Sequence, residues 1–237
     1  MAIENVVYLD NHLLVLAKPA GMLAQADETG DEDLLSLGKA FIKQRFNKPG
    51  EAFLGLVHRL DRPASGLMVF ARTSKAAKRL TNQFRNHTVG KRYLALVEGH
   101  PPENDCWEDY LLKKDRVSQV VSEHHPKGKL ARLRYRRLAG GGTSSLVTIA
   151  LETGRAHQIR LQFASRGFPL IGDFRYGASQ AFDGRNLALH AYHLDLKHPI
   201  GAKSMTWTLV PPSTWEGHFT QAIQALNLAE PPWEGSW

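Results

Sequence analysis

One cysteine, Cys106, stands in 237 residues. A lone thiol excludes an intramolecular disulfide and any cysteine-rich zinc module, and it suits a reducing cytoplasm. The histidines do not supply a metal set. His58 has Asp61 three residues on but no second histidine or cysteine beside it, His124-His125-Pro126 lies in a charged stretch, and no H-E-x-x-H occurs. No metal site is expected. Long hydrophobic runs are also missing. The apolar residues of "MAIENVVYLDNHLLVLAKPAG" are interrupted by Asp10, Asn11 and His12, which fits neither a signal peptide nor a membrane span. The triple glycine Gly140–Gly142 lacks a following Lys-Ser/Thr and reads as a turn rather than a phosphate loop. With no repeat, no heptad seam and no long linker, one domain and a monomer are expected.

What is present is an ordinary globular composition, 43% hydrophobic and 22% charged, long enough to bury a continuous core. The net charge is +7, but it is segregated. Arg72 to Arg92 contains seven basic residues and no acid, and Lys113 to Arg137 contains nine against Asp115 and Glu123. Each stretch carries a local excess of seven, so the remainder is net negative by seven. Charge gathered in this way fits a polyanionic partner, nucleic acid first, or else two solvated basic faces.

Hydrophobic spacing outlines the elements. Val6–Leu9 and Leu13–Ala17 flank Asp10-Asn11-His12 as a hairpin. Leu34, Leu37, Phe41 and Ile42 mark a helix capped by Asp33 and closed by Lys48-Pro49-Gly50. Leu67–Ala71 is expected to be a buried strand. A helix capped by Ser74 follows, with Ala77, Leu80 and Phe84 inward and Lys75, Lys78, Arg79 and Arg85 outward. "YLALVEG" (Tyr93–Gly99) reads as a strand. Arg132, Arg134 and Arg136 alternate with Leu133 and Tyr135 on a strand with one guanidinium face, and Val147/Ile149/Leu151 and Met205/Trp207/Leu209 alternate similarly. Ser213 and Glu216 form a capping box before a helix with Trp215, Phe219, Ile223 and Leu226 on one face, and "AEPPWEGSW" reads as a tail. The expected fold class is α+β, a mixed and mostly antiparallel sheet flanked by helices.

Two stretches concentrate chemistry. In "LVHRLDRPASGLMVFAR", Asp61 lies between Arg59 and Arg62, just before Pro63. Proline disfavours helix at Arg62, so the chain turns and exposes the carboxylate at a strand entrance. Guanidinium groups near a carboxylate favour its ionised form, which makes it a nucleophile or electrostatic partner rather than an acid. A turn aspartate in a local ion pair is the plainer reading. In "LETGRAHQIRLQFASRG", a helix is expected from near Arg155 to Gly167. Arg155, His157, Gln158 and Arg160 crowd its first turns, where backbone N–H groups favour anions. A surface helix with a polar beginning would explain the same residues. Lys91, Arg92 and Tyr93 precede a strand, and Tyr93 can stack on a base or simply fill the core.

Taken together, "KPAG" (Lys18–Gly21), "HRLDRPASGL" (His58–Leu67), "KRYLALVEG" (Lys91–Gly99), "TGRAHQIR" (Thr153–Arg160), "GFPLIGDFRYG" (Gly167–Gly177) and "LALHAYHLDLKHP" (Leu187–Pro199) resemble the RluA family of RNA pseudouridine synthases. The order and spacing match over about residues 5 to 211. The resemblance implies the pseudouridine synthase catalytic fold with a cleft across its sheet, and isomerisation of uridine to pseudouridine in ribosomal or transfer RNA. It implies no cofactor and a cytoplasmic enzyme. Asp61 occupies the position of the family's catalytic aspartate, and Arg160 that of the arginine paired with it. Tyr93 matches the tyrosine that stacks on the target base and is proposed to help move the C5 proton. Leu189 matches the apolar residue on the base's other face. Arg59 matches an arginine that in some relatives takes the flipped-out nucleotide's place. Arg62, Arg155, His157 and Gln158 are expected to contact substrate.

The basic helix and the arginine-bearing strand are expected to hold phosphates. Ala64 and Phe168 depart from the family's usual Thr and His, which bears on substrate detail. The family's N-terminal S4 RNA-binding domain has no counterpart here, so residues 1–237 are expected to form one catalytic domain, its core followed by a helix and tail over 212–237. Two other classes fit these residues less well. An RNA-binding protein or RNA chaperone on this fold would not need Asp61, Tyr93 and Arg160 together. A glycosidic hydrolase would ask for a second carboxylate as acid, which the motifs do not offer.

Overall fold

The computed structural model describes residues 5–115, 117–215, 217 and 219–226. The chain folds into two compact units, one formed by the chain up to Val89 with Leu194–Leu209, the other by Gly90–His193 with the chain from Val210 onward.

In the first unit the hairpin β1 (Val6–Leu9) and β2 (Leu13–Lys18) leads to helix α1 (Leu34–Arg45), the two-residue strand β3 (Gly55–Leu56), strand β4 (Ser65–Ala71) and helix α2 (Ser74–Arg85). The hairpin turns because Asp10 accepts hydrogen bonds from the backbone N–H groups of His12 and Leu13, both at 2.7 Å, an Asx turn. β2 pairs antiparallel with β4 from Leu13↔Ala71 to Lys18↔Gly66. Both strands are buried on both faces. Leu13, Val15, Leu67 and Val69 pack with Ala76 and Leu80 of α2, while Leu14 and Leu16 face α1, where Gly38 approaches so closely that a Cβ would lie 2.7 Å from Leu54. This is why β4 reads as an unbroken apolar run rather than an alternation.

The second unit contains β5 (Gly90–Glu98), β6 (Asn104–Lys114), β7 (Val117–Val121), β8 (Lys129–Gly141), β9 (Ser144–Leu151) and helix α3 (Gln158–Ala164). These strands are antiparallel neighbours in the order β5-β9-β8-β6-β7. Trp107 of β6, Tyr135 of β8 and Phe163 of α3 pack as an aromatic trio with centroids 4.5–5.2 Å apart, a spacing at which tilted rings attract. Strand β10 (Leu189–Lys197) begins in this unit and ends in the first, where β11 (Ser204–Thr208) pairs with it. Helix α4 (Thr220–Ala225) returns to the second unit, and its Ile223 packs with Trp215, Leu94, Leu96 and Tyr192.

The α+β class, the first hairpin, the Asp33 cap and the strand at Leu67–Ala71 agree with expectation. Four details differ. Thr73, not Ser74, caps α2: its hydroxyl accepts from the Ala76 N–H at 3.2 Å. Helix α3 begins at Gln158 rather than Arg155, because His157 sits at φ 55°, a left-handed conformation that no helical residue adopts. Its residues Gln158 to Phe163 are all buried, so it is not a surface helix. In β9, Ser145 through Ile149 are all buried, since both faces are covered. The helix expected from Ser213 is a 3₁₀ turn at Ser213–Trp215 followed by α4, although Trp215, Phe219, Ile223 and Leu226 share one core as expected. Glu216 of the capping box and the final "AEPPWEGSW" lie outside the described residues.

The cap assignment is testable. Thr73→Ala should lower the free energy of unfolding by about 1 kcal/mol, whereas Ser74→Ala should change it by less than ~0.5 kcal/mol. Urea denaturation with an unchanged m-value would read both, and a reversed order would return the cap to Ser74.

Candidate active site

Asp61 stands at the entrance to β4, half-buried, between the exposed Arg59 and Arg62. The approach to it is rigid. His58 accepts a hydrogen bond at Nε2 from the Val69 backbone N–H (3.0 Å) and stacks on Phe84 of α2, with centroids 4.6 Å apart. The Asp61 carbonyl accepts the Ala64 N–H at 3.1 Å, which closes the turn that Pro63 imposes.

Arg62 does not simply flank the carboxylate. Its guanidinium donates to the Gly21 carbonyl (2.9 Å) and pairs with Asp31 (2.7 Å). Its own carbonyl accepts the Gly21 N–H at 2.8 Å and the Lys18 ammonium at 3.0 Å. Lys18 is 1% exposed. Its Nζ donates to three carbonyl oxygens, those of Pro19 (3.0 Å), Met22 (2.8 Å) and Arg62, which uses every N–H an ammonium has. Burial pushes its pKa down to about 7, the Asp61 carboxylate pulls it up, and the Arg62 charge adds to the lowering. Thus "KPAG" and "HRLDRP" form one clamp, and the buried Lys18 feels the charge of Asp61. The motif by itself gives Lys18 no role; its signal in the sequence is a lysine at the end of an otherwise apolar strand.

In the second unit, Lys91 and Tyr93 alternate with Arg92 along β5 and so share a face. Tyr93 is 8% exposed and stands opposite Ile149 of β9. Arg92 reaches His193, with 3.2 Å between nitrogens. Lys91 Nζ lies 3.5 Å from the Thr153 carbonyl, and burial first, then the Arg155 charge, pushes its pKa down to about 8. Leu189 is buried at the start of β10.

The "TGRAHQIR" segment is a braced loop that feeds α3. The Gln158 carbonyl oxygen accepts from the Thr153 hydroxyl (2.7 Å) and the Arg155 N–H (3.0 Å), and its amide nitrogen donates to the Arg132 carbonyl (3.0 Å). Gln158 therefore shapes the loop. Arg155 donates from Nε to the Leu130 carbonyl at 2.8 Å, and His157 Nδ1 lies 2.8 Å from the Tyr176 hydroxyl. Arg160 is locked to Asp173 by two bonds of 2.7 Å, the pair being 5% and 1% exposed. Its guanidinium carbon also lies 5.1 Å from the Tyr176 ring centroid. A bidentate fork of this kind fixes the direction of a planar cation. Asp173 and Tyr176, read from sequence only as turn residues in "GDFRYG", thus hold the side chains that the other motif supplies.

The structure gathers Asp61, Arg62 and Lys18 in the first unit, and Lys91, Arg155, His157, Gln158 and Arg160 with Asp173 and Tyr176 in the second. The arginine face of β8 is more neutral than expected, since Arg132 pairs with Glu108 (2.5 Å) and Arg134 with Glu152 (2.7 Å). Among the described residues, no three His, Cys, Asp or Glu cluster as metal ligands, and no helix is long and apolar enough to cross a membrane.

The fold is that of a pseudouridylate synthase domain. The human RNA Pseudouridylate Synthase Domain Containing 4 structure superposes with a TM-score of 0.75 at 23% identity, covering 96% of this chain and 94% of that one. Residues 12–165 match the model of the RNA pseudouridylate synthase family. The chain is 37% identical to ribosomal large subunit pseudouridine synthase D of Zymomonas mobilis, over 85% of this chain and 67% of that protein. It is 31% identical to tRNA pseudouridine synthase C of Yersinia pestis, over 92% and 90%. The chain belongs to the RluA family of RNA pseudouridine synthases, isomerases that convert uridine to pseudouridine in RNA.

Burial of Lys18 has a pH consequence. A lysine whose folded pKa is about 7 holds fewer protons in the folded than in the unfolded chain between that value and its ordinary 10.5. Stability should therefore rise with pH across this window, by at most about 1.4 kcal/mol per pH unit from this group. Urea unfolding at pH 6.5 and 9 should show the wild type gaining relative to Lys18→Met. Parallel pH profiles for the two proteins would refute the assignment.

Proposed function

We propose that Asp61 is the catalytic residue of this enzyme and that its substrate is a uridine in structured ribosomal or transfer RNA. The observation that carries the proposal is the clamp. A carboxylate at a strand entrance, on a turn pinned by a fully buried lysine, is a costly arrangement that a mere surface ion pair does not require. The relatives support the substrate class, since those named above act on ribosomal and transfer RNA respectively.

In the reaction the N1–C1′ bond breaks, the uracil rotates, and C5 joins C1′; the C5 proton leaves and N1 ends protonated. A uridine within a helix must first be extruded, with a stacking partner to receive it. Asp61 acts on the ribose, as nucleophile at C1′ or as base toward a glycal-like intermediate. Tyr93 stacks on the base and assists loss of the C5 proton. Leu189 supplies the opposing apolar surface, and Arg59 fills the gap left in the RNA. Arg160, aimed by Asp173, is carried over from the family resemblance as the arginine that goes with this carboxylate. Arg62, Arg155 and His157 lie in the substrate-binding segments, with Gln158 bracing the loop. The catalytic core of about residues 5–211 works as a monomer in the cytoplasm, with neither metal nor cofactor.

Tritium release from RNA labelled at C5 of uridine tests this, with ribosomal and transfer RNA transcripts assayed separately. Wild type should release tritium from one pool. Asp61→Asn should lose release by at least ~1,000-fold while binding the same RNA within about twofold. Release retained by Asp61→Asn, or RNA affinity lost with it, would overturn the role given to Asp61.

A further inference from the structure

We propose that the outer face of α2, together with the turn between β10 and β11, is a docking rail for the RNA backbone leading to the Asp61 turn. The proposal rests on RNA being the substrate and goes beyond it, since no residue given a role in the reaction lies on this surface.

Lys75, Lys78, Arg79 and Arg85 are all exposed. At 3.6 residues per turn they fall within an arc of about 120°, opposite Ala76, Leu80 and Phe84, and Lys75 to Arg85 spans about 15 Å along the axis. The helix contains no acid at all. Lys75 therefore faces like charges at Lys78 and Arg79, spacings that weaken a helix unless an anion lies across them. The surface extends beyond the helix. Arg79 donates to the Pro199 carbonyl, and the Gln83 amide both donates to the Lys197 carbonyl (2.7 Å) and accepts the Lys197 N–H (2.9 Å). These bonds bring the exposed Lys197 alongside, and the exposed Lys203, whose carbonyl accepts the His198 N–H at 2.7 Å, belongs to the same turn. Within this unit, neither Arg62–Val89 nor Leu196–Leu209 contains an aspartate or glutamate. Asp10, which approaches the turn, is already engaged by Tyr8, His12, Leu13 and His198.

The direction of the rail follows from packing. β4 carries the chain about 20 Å from the Asp61 turn to the start of α2. The helix then returns, so that Phe84 near its end stacks on His58, three residues before Asp61. The cations thus lead from Lys75 and Lys203 toward the catalytic turn. None of the large exposed apolar residues lies on α2 or on the β10–β11 turn, so the face offers charge without the apolar side that a membrane-bound helix needs. Two of the β8 arginines, Arg132 and Arg134, are by contrast already paired with glutamates.

The test compares wild type with the triple variant Lys75→Gln, Lys78→Gln, Lys203→Gln and a charge-retaining Lys75→Arg, Lys78→Arg, Lys203→Arg control. The substitutions spare Arg79 and Gln83, which make the tertiary bonds. With a ribosomal or transfer RNA transcript, the glutamine variant should bind about tenfold more weakly near 0.1 M salt. Its slope of log Kd against log salt should be shallower by about two, while the arginine control matches wild type. Tritium release at saturating RNA should be unchanged within twofold. Unchanged affinity and salt slope would overturn the rail, and so would a fall in the saturating rate at unchanged Kd. Failure of the wild type to release tritium from any RNA would instead count against the substrate assignment, and the binding comparison reads the surface independently of it.

Discussion

The first unit is organised around one buried ammonium. A charge taken out of water costs several kcal/mol unless its hydrogen-bonding capacity is met. Lys18 meets it with three backbone carbonyls, from Pro19, Met22 and Arg62. The last of these bonds, to the Arg62 carbonyl, ties the end of β2 to the turn that carries Asp61, across forty-four residues of sequence. The Gly21 N–H and carbonyl complete the clamp from the other side. The turn that carries Asp61 is thereby held through its main chain.

The second unit solves a similar problem with different chemistry. Arg160 is aimed by a two-pronged bond to Asp173, and Gln158 ties the loop that precedes α3 to β8, its carbonyl on the loop and its amide nitrogen on the Arg132 carbonyl. Both side chains are buried, so each must be fully paired or cost stability. That pairing makes the loop rigid without any metal ligand or disulfide. Residues that a motif presents as a cluster thus include several that brace the backbone from within.

Charge on the molecule divides in the same way. β8 carries alternating arginines, yet two of them face carboxylates and contribute little field beyond their own pairs. α2 carries cations with no acid among them, and its field is free to reach a polyanion. Counting basic residues along the chain puts the two stretches level. Strand pairing separates them, because only the fold decides that Glu108 lies across from Arg132.

The sequence alone determined the α+β class, the first hairpin, the buried strand at Leu67–Ala71, the inward and outward faces of α2 and, through its motifs, the family. Such features depend on local periodicity and turn chemistry, which a linear chain displays directly. Helix starts were less legible: Thr73 and Ser74 are equally good caps on paper, and the left-handed His157 delays α3 for reasons that lie in the Gln158 bonds. Only the tertiary structure decided that Lys18 is buried on three carbonyls, one of them in the Asp61 turn, that Arg62 turns to Asp31, and that Asp173 holds Arg160. Each joins segments distant in sequence or sets which neighbour a charge faces. Those outcomes follow from which buried charges must find partners, a condition that exists only once the chain has closed around them.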